Sequence, residues 1–420
     1  MNNKDIIKCL KANKKISDFE LAISHKKSRE LFYVLKHLEM NRSTDVTNKT
    51  LTVYVRDKDL IGSSSFAILA CDNVSSLKKK IDAAAEKAKA ALNRFYALPE
   101  SKKNIEQKEN RTDLNSIAEK LANIIYKTDP GKDGWINSSE IFVLESNNEF
   151  ISSRGIHHKT CSLNIGMEIV PTWSNNGEEF EQYRFYESNV LNVEEIERKV
   201  KGIVRKAKLR SVAKNIKDVK LPENIKVLVK GDMVSDLVDN LKDNLSYAEI
   251  FTGTAHYKKG DVISDNKFDL TLIGKAKGCA GSKNYDGHGV NLGSKKIVSG
   301  GQAISYWGDS KYGYYLKERN ITGNLPVAKL KAKGVDYEKE KHLIIESFSA
   351  PQLDESSGYF GGEVRLARYF DGKKYIPLTG FSVSGNIYKD IRRIEFSKRN
   401  TTLKNYVGPK YWIFKGLSIH

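Results

Sequence analysis

The stretch GYFGGEVRLARYFDGKKYIPLTGFSVSGNIYKDI, residues 358–391, carries two kinds of local structure side by side. Apolar residues over 363–370 and 373–378 flank Asp371-Gly372, a dipeptide whose tolerance of positive φ suits a tight hairpin turn. Just beyond it, Ser384-Gly385-Asn386 can cap a short helix with Ile387, Ile391 and Ile394 along one side. Strand and helix signals in one short run point to the α+β class.

The same mixture extends upstream. The second half of the chain is rich in glycine and strand patterns, and a helix is expected there over 234–245. A strand over 225–229 follows the polar, Pro222-containing segment NIKDVKLPENIK (215–226), where the domain boundary is placed. At 420 residues the chain is long for one domain, so two are expected: 1–220, mixed helix and strand, and 221–420, β-rich. In the first half, Leu51, Val53 and Val55 alternate as in a strand, and Asp57-Lys58-Asp59 reads as a turn. Leu77, Ile81, Ala84, Ala88, Leu92 and Phe95 recur at helical spacing, with Ser75 or Ser76 as cap and Pro99 as stop. Residues 99–112 read as a polar linker. Leu114, Ile117, Leu121 and Ile125 mark another helix, and Val193, Ile196, Val200, Ile203 and Val204 a further one over 193–214. Between these helices the texture is β, with a hairpin turn expected at Ser146-Asn147-Asn148-Glu149, whereas residues 16–38 show mixed periodicities.

Composition narrows the class. No window approaches the roughly 18 apolar residues of a membrane span, and the first residues, MNNKDIIKCLKANKK, carry no apolar run of a secretory signal. Cys9, Cys71, Cys161 and Cys279 are scattered without CxxC spacing, which fits free thiols in a reducing cytoplasm. The net charge of +18 invites a nucleic-acid reading. Its lysines are spread along the chain, as in Lys78-Lys79-Lys80 and Lys102-Lys103, with no arginine cluster, recognition helix or RNA-binding aromatic motif. A solvated surface is the expectation; phosphate-dominated binding would instead weaken steeply with salt.

The sharpest local motif is 129–140, where Asp129, Asp133, Gly134, Ile136, Asn137 and Glu140 match EF-hand loop positions. Gly131 removes the ligand at position three and the exit 141–144 reads as strand, so a turn from helix to strand is expected. Adjacent His157 and His158 would point to opposite faces of a strand. His256 and His288 lie near Asp261 and Asp286 and are read as surface or hydrogen-bonded histidines. Gly274–Gly281 and Ser357–Gly362 lack phosphate-cradle spacing and read as turns or close backbone approaches. No HExxH, Walker A or GxSxG motif occurs.

Several segments in order resemble the TldD/PmbA family, once called modulators of DNA gyrase. They are DKDLIGSSSFAI, SLKKKIDAAAEKAKAAL, LESNNEFISSRG, NYDGHGVNLGSKKIVSGGQAISYWGDSKYG with NITGN, the stretch quoted first, and GPKYWIFKGLSI. In that family TldD-type subunits resemble zinc peptidases, with HExxxH on a helix early in the second domain and a late cysteine ligand. Histidine nitrogens and a thiolate would hold zinc while the glutamate takes a proton from water. The corresponding helix here is LVDNLKDN (237–244), with Asp239, Asn240 and Asn244 where the family has His, Glu and His, and no cysteine follows Cys279.

The resemblance is therefore to the PmbA (TldE) type, a metal-free partner lacking HExxxH. It implies no catalytic residue, metal or cofactor in this chain, a TldD-like zinc peptidase subunit as partner, and a peptide substrate enclosed between the two. A homodimeric scaffold without peptidase activity is the alternative arrangement. Residues 246–261 would lie near the substrate tunnel, with Tyr247, His256 and Tyr257 as candidate contacts, loop packing being the alternative for each.

Overall fold

The computed structural model describes residues 1–100, 103–108 and 112–420. The first half builds one antiparallel sheet from β1 (Asp18–Val34), β2 (His37–Asp57), β3 (Leu60–Ile68), β4 (Asn93–Arg94), β5 (Gly134–Ser152), β6 (His157–Asn175), β7 (Glu178–Glu181) and β8 (Arg184–Ser188). Its order is β4-β3-β2-β1-β5-β6-β7, with β8 on β6. Four helices accompany it: α1 (Asn3–Ala12), α2 (Val74–Ala90), α3 (Leu114–Lys127) and α4 (Val193–Ser211). Helices α1 and α2 bury Ile6, Leu10, Leu77 and Ile81 against Leu21, Leu51 and Val53. Helices α3 and α4 bury Leu121, Ile125, Val200 and Ile203 against Ile141, Val143, Ile165 and Met167. The periodic apolar faces of these helices thus meet the inward residues of alternating strands.

Three local expectations change. Ser146–Glu149 do not turn: they run mid-strand in β5, with Ser146 opposite Lys26 of β1 and Ser162 of β6. Ladders on both sides satisfy their backbone, which overrides the turn preference of Ser and Asn. The chain reverses instead after Ser152, where Gly155 adopts φ +84°. Helix α2 is capped by Asn73, whose side chain accepts from the Ser76 amide while the Ser76 hydroxyl accepts from the Asn73 amide. It ends at Ala90, so Leu92 and Phe95 leave it; Phe95 packs edge-on against Tyr314 and under the Arg56 guanidinium. Residues 16–38 lack a clean period because β1 starts buried on both faces: Asp18, Phe19, Glu20 and Leu21 are all enclosed. Lys102 falls outside the described residues, as do 109–111 of the linker.

Asn73→Ala is expected to lower stability by about 1 kcal/mol, read as a shifted urea midpoint at unchanged slope.

The segment 129–140 is a turn from α3 into β5. The Asp129 side chain accepts from the Gly131 amide at 3.2 Å and pairs with Lys36 at 3.5 Å. Glu140 sits in the ladder opposite Glu168. His158 is buried and 2.9 Å from the Gly289 carbonyl, while His157 faces outward to Glu149.

In the second half β9 (Lys214–Asn215) and β10 (Lys226–Val229) precede α5 (Asp232–Asp243) and α6 (Tyr247–Thr252). Then follow β11 (Phe268–Ile273), β12 (Ser294–Ser299), β13 (Gln302–Ala303), α7 (Ser310–Tyr315), β14 (Val327–Ala332), β15 (Gly334–Val335) and β16 (His342–Phe348). Next come β17 (Gln352–Leu353), β18 (Tyr359–Phe370), β19 (Tyr375–Thr379), β20 (Phe381–Asn386) and α8 (Ile387–Asp390). The chain closes with β21 (Glu395–Ser397), β22 (Asn400–Thr402), β23 (Tyr406–Pro409), β24 (Trp412–Lys415) and β25 (Ser418–Ile419). One sheet runs β15-β21-β24-β10-β16-β18-β19-β9, with β17, β20 and β25 attached; the other runs β13-β12-β11-β14-β23-β22. Both contribute to one core with α5, joining Val227, Leu343 and Phe414 to Leu237, Leu241, Leu270 and Val298.

The hairpin expected at Asp371-Gly372 forms between β18 and β19; the Asp371 carboxylate accepts from the Lys373 and Lys374 amides. Asn386 caps α8 by accepting from the Tyr388 and Lys389 amides. Gly274 and Gly361 are close approaches: a Cβ would lie 2.7 Å from Leu292 Cβ and 2.4 Å from the Val383 carbonyl, respectively.

Candidate functional site

Helix α5 begins after Gly231, held at φ +68°, and buries Val234, Leu237, Val238 and Leu241 in the core. Asn240 lies within this apolar stripe and is only 2% exposed. Asn244, one turn later on the same face, caps the helix.

Both amides converge on the hydroxyl of Tyr388 in α8, at 3.3 Å from Asn240 Nδ2 and 3.1 Å from Asn244 Nδ2. The hydroxyl in turn donates to the Glu355 carbonyl, which Asn240 Nδ2 also meets at 3.4 Å. Asn244 Oδ1 accepts from the His256 amide at 2.7 Å, bringing the loop after α6 over the helix. There the His256 ring stacks on Tyr388 at 3.8 Å between centroids and 11° between planes, and Tyr257 meets Tyr388 edge-on at 5.8 Å. Asp239 points elsewhere, to Lys242 and Asn405.

The structure therefore gathers Asn240, Asn244, His256 and Tyr257 around Tyr388, and separates Asp239 and Tyr247 from them. His256 is exposed, whereas Tyr257 is buried with its hydroxyl unpartnered. Tyr247 is wholly buried, its ring against Gly308 and Gly313. Burial raises the phenol of Tyr257 and pushes that of Tyr247 up to about 12, so both stay neutral at physiological pH. His288 lies apart from His256: it pairs with Glu20 at 3.1 Å, and that hydrogen bond, against burial, raises its pKa.

Tyr388 was not legible as a site residue. Its α8 is readable in sequence, but its hydroxyl meets residues 144 and 148 positions away.

These donors do not fit zinc. Asn240 and Asn244 present amide N–H groups toward the shared point, where a metal needs lone pairs from imidazole, thiolate or carboxylate. Cys279 is buried 3.9 Å from the Tyr406 carbonyl, and burial pushes its thiol up to about 11, away from the thiolate form. Among the described residues, no three His, Cys, Asp or Glu side chains gather as a metal-binding group. The same residues contain no helix long and apolar enough to cross a membrane.

Residues 222–420 match the family model described as the PmbA/TldA metallopeptidase C-terminal domain. No curated protein matches the chain by sequence. Among solved structures it is similar to TldE from Thermococcus kodakarensis, with TM-score 0.80 and 16% identity, covering 99% of this chain and 98% of that one. It is also similar to a protein from Thermotoga maritima described as a modulator of a DNA gyrase, with TM-score 0.79 and 13% identity over 99% of each chain. A protein of like description from Bacteroides thetaiotaomicron gives TM-score 0.74 and 16% identity, over 99% of this chain and 97% of that one. At these identities the structural likeness speaks for the fold: an α+β chain matched along nearly its whole length.

Proposed function

The chain belongs to the TldD/PmbA family, and on that premise we propose that it is the metal-free, non-catalytic subunit of a TldD/TldE-like metallopeptidase complex that processes or degrades peptides. The observation that carries this reading is the closed polar cluster of Asn240, Asn244 and Tyr388. Peptide hydrolysis at a HExxxH site needs two imidazole ligands and a carboxylate that can take a proton. An amide has no titration in the working range, so neither asparagine can replace the base.

In this reading the catalytic zinc sits in a HExxxH-bearing partner subunit, and this chain shapes the space through which peptide substrate passes. The two domains divide near 220/221, and the complex works in the cytoplasm. Of the three candidate contacts His256 is the one at the surface, so it is the side chain placed to meet substrate; Tyr247 and Tyr257 support the loop from beneath.

The test is reconstitution. The purified chain alone is expected to carry no stoichiometric zinc by mass-spectrometric metal analysis and to leave an unstructured peptide intact. Mixing it with a HExxxH-bearing family subunit is expected to give cleavage that the chelator o-phenanthroline abolishes. Stoichiometric zinc together with cleavage by the isolated chain would overturn the proposal, and a homodimer inert toward every such subunit would favour the scaffold arrangement.

A further inference from the structure

The sheet face opposite the main core of the second half carries its own small apolar cluster, Leu228, Tyr337, Ile344, Tyr411 and Ile413. Beside it, cations from α4, β8, β18 and the residue after β10 surround one carboxylate. Glu346 is 3% exposed at the side chain; its Oε1 accepts from Arg368 Nε at 2.8 Å and Nη2 at 2.6 Å. Its Oε2 meets Lys230 directly and Lys206 of α4 at 3.3 Å, and its backbone carbonyl accepts from Arg184 Nη2 of β8 at 2.8 Å. Asp232 lies 3.9 Å from Arg184 but is 85% exposed at its side chain. Three half-buried cationic side chains thus share the buried carboxylate of Glu346. Lys230 reports the crowding: burial and then Lys206 push its ammonium down to about 7 against the pull of Glu346.

Such an excess of positive charge in a low dielectric is costly unless an anion joins it. Next to the cluster lies a cavity of about 350 Å³ whose walls are Ile344 and the aromatic rings of Tyr337, Phe370, Tyr375 and Tyr411, with Arg368, Arg399 and the carboxylate of Glu338 as its charged groups. The Arg368 guanidinium lies over the Tyr375 ring at 4.7 Å, and Lys230 and Lys410 flank Tyr411 at 5.8 and 5.1 Å. Arg399 at the rim pairs with Glu338 at 2.9 Å. With the Arg368 fork engaged by Glu346 and Arg399 paired to Glu338, it is the positive charge of the two guanidiniums and the neighbouring lysines, together with the aromatic walls, that suits a ligand with an oxyanion at one end and an apolar or planar body at the other.

We propose that this cavity binds an oxyanion-bearing small molecule or chain end, a carboxylate or a phosphate, whose charge is held by Arg368 and Arg399 in the field of Lys230 and Lys206. The site lies apart from the asparagine–tyrosine cluster and does not depend on the peptidase reading.

The full chain is titrated calorimetrically at constant ionic strength with inorganic phosphate and, separately, with N-acetylphenylalanine. Saturable binding of at least one probe is expected, weakened about tenfold or more by Lys230→Met and by Arg399→Met, as loss of a charge-assisted contact requires. Binding of N-acetylphenylalanine alone assigns a carboxylate ligand, and binding of phosphate alone a phosphoryl group. Absence of saturable binding by either probe, or equal affinity in wild type and variants, overturns the proposal. Should Lys230→Met fail to fold, Arg399→Met decides, since Arg399 is 69% exposed at its side chain and its ion pair is with Glu338 at the surface.

Discussion

Replacing Glu346 by Gln lowers the stability of the folded chain by about 3–5 kcal/mol, the cost of leaving buried charges without their partner. The substitution keeps the volume and one acceptor oxygen but removes the buried negative charge that Lys206, Lys230 and Arg368 share. Because Lys206 and Arg184 belong to the first half and Glu346 to the second, the loss also loosens the seam between them. Urea unfolding of both proteins at pH 7 measures the difference. Its pH dependence has a definite sign. Burial alone would raise the Glu346 carboxyl, but the charges of Lys230, Lys206 and Arg368 outweigh it and hold the group far below the usual carboxylate range. The carboxylate therefore stabilises the fold fully above its unfolded value, about 4.3, and less as the pH falls below that toward the folded value. The gap between wild type and Glu346→Gln should narrow as the pH drops below about 5. A gap that stays constant down to pH 3 would mean that the carboxylate's charge is not what stabilises the seam.

Tyr388→Phe is the second substitution with a large effect, about 1–3 kcal/mol, because it leaves buried polar groups without the hydroxyl on which they converge. The Asn240 amide keeps a bond to the Glu355 carbonyl only at 3.4 Å, and Asn244 keeps its bond to the Asn240 carbonyl at 3.0 Å. Since Asn240 Oδ1 already has no partner, the site has little capacity to re-pair. Tyr388→Ala costs more, because the platform under His256 and the edge packing of Tyr257 disappear with the ring. Thermal unfolding ranks the two variants. Neither should acquire zinc, since removing the phenol adds no ligand. A Tyr388→Phe protein as stable as wild type would show that the cluster is solvated rather than sealed.

Much of the fold was legible locally. The hairpin of β18 and β19 and the cap of α8 follow from a few adjacent residues: Asp371 and Asn386 each satisfy backbone amides within three positions of themselves. Helices α3, α4 and α5 follow from apolar spacing, and Asn240 and Asn244 could be placed on one helix face from their i, i+4 separation. Where two local signals compete, tertiary pairing decides between them. Ser146–Glu149 are turn-formers by composition, yet strands on both sides of them keep β5 extended. Serine is the local cap signal for α2, yet the cap is Asn73, with Ser76 as the other half of the reciprocal pair.

The sequence by itself thus determined the α+β class, the principal helices, the family likeness and the absence of both imidazoles and of the glutamate from their motif positions, Asp239, Asn244 and Asn240. Each of those rests on residues close together in the chain or on the plain identity of a side chain. Tertiary structure alone decided what stands in the motif's place. Tyr388 reaches Asn240 and Asn244 only because α8 and α5 pack into one core, and Glu346 is surrounded only because α4 crosses onto the sheet of the other half. Such groupings arise from packing across more than a hundred residues, where no local propensity operates, and the hydrogen-bond demands of buried polar atoms select among the arrangements that packing allows.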